Sequence, residues 1–198
     1  GGILPPGEKG VLHVRGPQVM LGYYNKPELT AEIIDSEGWL NTGDLAMQTW
    51  KGEIKIMGRA KDTIVLLGGE NIEPNPIEEK IKESPYINTA VVLGQDKKYI
   101  AALVVGQMDL IVEFAKEHGV VYSEESDLLE TPEVLDLIKS EINEYVSAKT
   151  GFKVFERISK FKLLGTEFEV GKELSGKQEV KRHAVNDMYK KEIAGLFS

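Results

Sequence analysis

Apolar and polar positions change rhythm along this chain, and the change divides it in two. Up to about Gly58 the apolar residues come in short alternating runs punctuated by glycine and proline. Val11–Arg15 reads as a strand closed by Gly16-Pro17, because that dipeptide favours a turn. Pro27–Ile34 reads as a brief helix with proline and glutamate in its first turn. Glu37-Gly38 turns the chain into Trp39-Leu40, and Asn41-Thr42-Gly43-Asp44 turns it again. Lys51-Gly52 joins Leu45–Trp50 to Glu53–Met57 as a hairpin, with Ile54 and Ile56 alternating with charge.

Beyond Arg59 the pattern becomes α+β. Thr63–Leu67 predicts a strand and Pro76–Lys82 a helix. Thr89–Leu93 and Tyr99–Val105 predict a hairpin around Gly94-Gln95-Asp96. Asp109 is placed to cap a helix running to His118 and ended by Gly119. The acidic stretch Val120–Glu130 predicts a solvated loop. Thr131-Pro132 starts a helix whose Val134, Leu135, Ile138, Ile142, Tyr145 and Val146 form one apolar stripe, the pattern of core packing. Phe161–Leu164 is predicted to pair with Phe168–Val170 around Gly165, and Arg182–Leu196 to close the sequence as a helix.

Composition narrows the function classes. The 198 residues carry a net charge of -8, the wrong sign for a surface that wraps nucleic acid or anionic membrane. There is no cysteine, so disulfides and thiolate metal sites are excluded. Three scattered histidines (His13, His118, His183) lead us to expect no metal site. No apolar run reaches membrane-spanning length and no signal peptide opens the chain, so the expected location is the cytoplasm, with peripheral membrane contact left open. Gly1-Gly2-Ile3 starts without methionine and runs directly towards a strand, which suggests a piece of something larger.

The densest chemistry lies in Gly58–Glu79 (GRAKDTIVLLGGENIEPNPIEE). Arg59 offers a planar fork of donors suited to phosphate or ribose oxygens. Lys61 and Asp62 sit where the chain could change direction, and Gly68-Gly69 lets backbone approach a ligand closely. Asp44 adds an acceptor pair suited to two sugar hydroxyls. Each also has a plainer reading: Asp44 as a turn residue, Arg59 and Asp62 as a surface ion pair. Gly171–Lys177 satisfies the start of a phosphate-binding G-x-x-x-x-G-K loop, but Gln178 replaces the magnesium-binding hydroxyl and only 21 residues follow. That loop is therefore rejected, leaving Lys177 as a lysine on a glycine-flexed loop.

Taken together, GEKGVLHVRGPQVMLGYYNKPELTAE, GWLNTGDLA, GRAKDTIVLLGGENIEPNPIEE and GKELSGKQEVKR resemble the adenylate-forming (AMP-forming) acyl-CoA synthetases, most closely the C-terminal portion of the long-chain fatty acid branch. The resemblance implies an α+β architecture. Residues 1–59 would be a small β-barrel-like closing segment of a larger adenylation domain, and residues 60–198 a compact, mobile C-terminal domain. It also implies a two-step reaction. A carboxylate attacks ATP to give acyl-adenylate and pyrophosphate; the small domain then swings and the CoA thiol displaces AMP. On the matching positions, Asp44 and Arg59 bind nucleotide, Lys61 is the hinge, and Gly68 and Gly69 lie in the loop of the thioester step. Lys177 is the lysine of adenylation when aligned on Gly176, whereas alignment on Arg182 puts Glu179 in that column. Lys177 is preferred, because the transition state gathers negative charge.

The family's ATP, CoA and Mg²⁺ would serve the full-length enzyme, with none held tightly by this piece, which is expected to be inactive alone. Self-association through a surface exposed by truncation is a further expectation. A non-catalytic module docking CoA, a carrier protein or a partner subunit stays open, as does a ligase for another carboxylic acid.

Overall fold

Alternation in the first part of the chain builds a three-stranded antiparallel sheet ordered β1-β2-β3, from Lys9–Val14, Leu40–Gln48 and Ile54–Arg59. The computed structural model describes residues 2–198, and the chain divides into one unit ending at Thr63 and another spanning Ile64–Ser198. In the first unit a short helix, α1 (Pro27–Ile33), begins with proline where a missing N–H costs nothing. The β-barrel-like expectation is corrected: the described residues form an open sheet, since three strands are too few to close on themselves.

A second correction concerns Asn41–Asp44. These residues do make turn-like bonds: Asn41 Oδ1 accepts the Gly43 N–H at 2.9 Å and Thr42 Oγ1 accepts that of Asp44 at 3.1 Å. Yet β2 runs through them. The ladder pairs Val11 with Leu45 and His13 with Asn41, so Thr42–Asp44 bulge outward opposite Leu12. Gly43 takes φ 71° there, a conformation a side chain would resist.

The second unit opens with a two-strand ribbon, β4 (Ile64–Val65) and β5 (Asn71–Ile72), followed by α2 (Pro74–Ile81). Its centre is a sheet ordered β6-β7-β8, from Ile87–Leu93, Ala101–Gly106 and Lys160–Leu164. All six residues of β7 are buried, which explains why this run is apolar without alternation. Ala90, Val92, Ala102, Val104 and Leu163 belong to a core shared with α2, α3 (Met108–Glu117) and α4 (Pro132–Tyr145). Val91, Leu93, Ala101, Leu103 and Val105 belong to a second core, closed by Phe168 together with α5 (Arg182–Met188) and α6 (Lys190–Leu196).

Four local expectations change. β8 pairs in parallel with β7, while Phe168 is a buried plug and Val170 bridges Leu174, so no hairpin forms around Gly165. Val120–Glu130 is not only solvated loop: a 3-10 turn over Glu125–Glu130 buries Leu128 completely. The N-cap of α3 is Gln107, with Asp109 inside the first turn, where its charge still suits the helix dipole. The closing helix breaks at Tyr189 into α5 and α6.

Candidate functional site

In the first unit, the register of β2 on β3 places Asp44 directly opposite Arg59. The guanidinium turns back across the ladder: Arg59 Nη1 donates to Asp44 Oδ1 at 2.7 Å and to the Thr42 carbonyl at 3.2 Å. A Cβ on Gly43 would lie 3.3 Å from Arg59 Nη2, so the bulge glycine also leaves room for the fork. The Arg59 side chain is 50% exposed and that of Asp44 30%. An ion pair this open is worth under about 1 kcal/mol. It can part for a ligand that offers hydroxyls to the carboxylate and an anion to the guanidinium. Lys61 follows at once, exposed in a 3-10 turn over Ala60–Asp62.

The second unit contains the glycine loop and the lysine loop. Gly68-Gly69 forms the tip of the β4–β5 ribbon, where Leu66 N–H donates to the Glu70 carbonyl at 3.0 Å and Gly69 N–H to Leu66 at 2.9 Å. Gly69 takes φ 88°. The tip is braced from outside by Leu67 N–H, which donates to the Lys97 carbonyl at 2.9 Å.

Lys177 lies on a second tip. Leu174 and Val180 bridge antiparallel, and Ser175 N–H donates to the Glu179 carbonyl at 2.8 Å. Ser175 Oγ accepts the N–H groups of Lys177 and Glu179, each at 3.2 Å. The backbone of the tip is thus ordered, while the Lys177 and Glu179 side chains are exposed. The Lys177 ammonium has no hydrogen bond or ion pair among the described residues, the state a lysine needs to reach an anion elsewhere.

Below this tip sits a buried assembly that the residue pattern alone did not reveal. Arg182 Nη2 donates to both Glu78 carboxylate oxygens at 2.6 Å. Arg182 Nη1 donates to the Val92 carbonyl at 3.0 Å, and the Val92 N–H donates to Glu78 Oε1 at 2.6 Å. β6 is an outer strand of its sheet, so this pair satisfies backbone groups an outer strand would otherwise leave open. Burial pushes the Glu78 carboxyl above its ordinary value, against the opposing pull of Arg182 and of the Val92 N–H. A signal was present: Pro74, Ile77, Glu78 and Ile81 are the buried positions of α2, and Glu78 breaks an otherwise apolar face.

The base of the loop is held by Glu173, whose carboxylate accepts the Glu169 N–H and the Tyr189 hydroxyl, both at 3.1 Å. Burial and the bond to Glu173 push the Tyr189 phenol up from 10.0 to about 12. A folded-state value above the unfolded one means this stability is present below the unfolded value and is lost as pH rises through about 12. An ultraviolet titration should therefore show one of the 7 tyrosines ionising late, near pH 12, and Tyr189→Phe should remove that step. A late step that persists in the variant would contradict the assignment.

The family model described as AMP-binding enzyme C-terminal domain matches residues 61–198. The chain belongs to the AMP-binding enzyme C-terminal domain family. Relatives that cover 95% or more of the chain carry the likeness upstream of residue 61. "Probable acyl-activating enzyme 16, chloroplastic" of Arabidopsis thaliana is 35% identical over 208 residues, spanning 100% of this chain and 28% of that protein. "Long-chain-fatty-acid--[acyl-carrier-protein] ligase AEE15, chloroplastic" of the same plant is 47% identical over 113 residues, 52% of this chain and 16% of that protein. Mouse "Long-chain-fatty-acid--CoA ligase ACSBG1" is 31% identical over 205 residues, 95% of this chain and 28% of that protein.

Among solved structures, the A-PCP didomain of carboxylic acid reductase from Segniliparus rugosus, in complex with AMP, matches 96% of this chain and 25% of its own with a TM-score of 0.79. At 21% identity that match shows the AMP-binding enzyme fold. This family member therefore spans 28% or less of the length of each protein named here. No helix among its described residues is long and apolar enough to cross a membrane.

Proposed function

We propose that these residues are the C-terminal part of an ATP-dependent long-chain fatty acid–CoA ligase. The observation that carries the reading is similarity over 100% of the chain to an acyl-activating enzyme, continuous through both units. ATP would supply the electrophilic α-phosphate. The open Asp44 carboxylate suits the two ribose hydroxyls, which donate to it, and the freed Arg59 fork suits a neighbouring oxygen or phosphate.

Lys177 would meet negative charge as it grows on carboxylate and phosphate oxygens. Lys61 would be the hinge about which residues 60–198 move as a body against residues 1–59 and the larger domain they complete. After that motion the Gly68-Gly69 tip would lie along the path of the attacking thiol. CoA is the proposed acceptor, and a carrier-borne thiol is the acceptor named for one relative.

The test is expression of the longer polypeptide that contains these residues, with fatty acid, ATP, Mg²⁺ and either CoA or holo acyl carrier protein. Fatty-acid-dependent pyrophosphate release followed by thioester formation is the expected result, with the 198 residues alone giving neither. Pyrophosphate release that depends on an aryl or amino acid instead would replace the substrate class. Full turnover by the 198 residues alone would end the reading of them as a part.

A second reading, a module that binds without adenylating, is favoured by one observation. Arg182 is fixed on Glu78, and the residue three positions before it is Glu179. If the anchored arginine sets the register, a glutamate occupies the position where this chemistry wants a cation.

A further inference from the structure

The central sheet of the second unit treats its two outer strands differently. At β6 the outward N–H and C=O of Val92 are closed by Glu78 and Arg182. At β8 no such closure is made among the described residues. β8 pairs with β7 alone, and its start lies in a groove of about 630 Å³ between α4 and α6.

The groove has an apolar floor from Leu135, Ile142, Ile158, Phe161 and Leu196. Its lips are cationic in a chain of net charge -8: four lysines line it against the two carboxylates of Asp136 and Glu192. Lys162 is paired with Glu130, and Lys160 Nζ donates to the Ser198 carbonyl at 3.0 Å. Lys139 on α4 and Lys191 on α6 are exposed and have no ion-pair partner among the described residues, one on each lip.

We propose that this groove is a docking site for an extended acidic peptide segment that adds to β8 as a fourth strand. Three observations converge on that occupant. The unclosed strand supplies a row of backbone donors and acceptors that an extended chain can match. Side chains alternate between the two faces of an added strand, one towards α4 and the other towards α6, so a segment with acidic and apolar residues on both faces can meet Lys139, Lys191 and the apolar lining. Residues of α4 and α6 flank the start of β8, so the occupant is a segment that fits between two helices. β8 is five residues, roughly 17 Å of extended chain, so four to six residues of partner suffice. This inference does not depend on the ligase reading, because the groove shares no residue with Asp44, Arg59, Lys61, Gly68, Gly69 or Lys177.

The probe is a fluorescent octapeptide of sequence Glu-Glu-Val-Val repeated twice, which puts acidic and apolar side chains on both faces of a strand, titrated into this chain and followed by anisotropy and by amide hydrogen exchange. Saturable binding with new protection at those amides of β8 that face away from β7 is expected. The same peptide with lysine in place of each glutamate should not bind, nor should the acidic peptide with alternate amides N-methylated. The double variant Lys139→Glu/Lys191→Glu, whose changes are on exposed positions, should weaken binding about tenfold or more while leaving the unfolding midpoint in place.

Absence of binding would overturn the proposal, as would binding indifferent to the lysine reversals or protection appearing elsewhere. Two further outcomes count against it. Decanoate occupying the groove while the peptide is silent would make it a site for an amphipathic small anion. Peptide binding to these residues but not to the longer polypeptide would mean that another part of the same protein fills the groove.

Discussion

Lys177→Ala, introduced into the proposed longer ligase, should lower fatty-acid-dependent pyrophosphate release by about 10²–10³-fold, the usual loss when one group aimed at a developing oxyanion is removed. Thioester formation from supplied acyl-adenylate should continue at close to its original rate, because the proposed mechanism gives that half-reaction to the glycine tip and not to the lysine tip. Folding should be unaffected, since the ammonium has no partner among the described residues and only its backbone N–H is held, by Ser175 Oγ. The partner experiment is Glu179→Lys. If Lys177 is the working cation, an added lysine two residues away changes little. If the register set by Arg182 governs, Glu179→Lys raises adenylation and Lys177→Ala does nothing. Equal losses in both half-reactions from Lys177→Ala would point to a damaged loop and remove the residue from the chemistry.

Arg182→Met should be the most destabilising single change in the second unit, costing about 3–5 kcal/mol at neutral pH, because it strands a buried carboxylate. Chemical denaturation of this chain measures it. The pH dependence follows from the direction of the Glu78 shift. Its folded-state value already lies above the ordinary one, and losing the guanidinium raises it further. Protonation then rescues the carboxyl, so the variant's deficit is smallest at acid pH and grows as pH rises. The double variant Glu78→Leu/Arg182→Met should recover the charge penalty. It should keep a deficit of about 1–3 kcal/mol for the stranded Val92 N–H and C=O. A deficit that shrinks as pH rises would refute this account.

Much of the second unit was legible because its signals are local. The buried runs of β6 and β7, the 3.6-residue stripe of α4 and its proline start depend on nothing far away in sequence. What was missed is non-local or two-valued. The parallel pairing of β8 with β7 joins segments about sixty residues apart, and Phe161–Leu164 carries no mark that tells it from half of a hairpin. Asn41–Asp44 has real turn chemistry and real strand pairing, and only the partner strand decides between them. At the candidate site, the residue types of Asp44 and Arg59 were readable, but that they hold each other could not be read without the β2–β3 register. Glu78 was readable as an apolar-face violation, while its partner lies 104 positions away.

The two cores of the central sheet also impose an order on biosynthesis. One face of β6 and β7 is covered by helices made just before the strands or soon after them. The other waits for Phe168, Val185 and Leu196, which are made long after the strands. Until then Val91, Leu93, Leu103 and Val105 present an uncovered apolar wall, the kind of surface chaperones bind on nascent chains. A nonsense or frameshift lesion anywhere between Gly165 and Val185 would thus leave a half-clad sheet, a substrate for quality control and not merely a shortened protein.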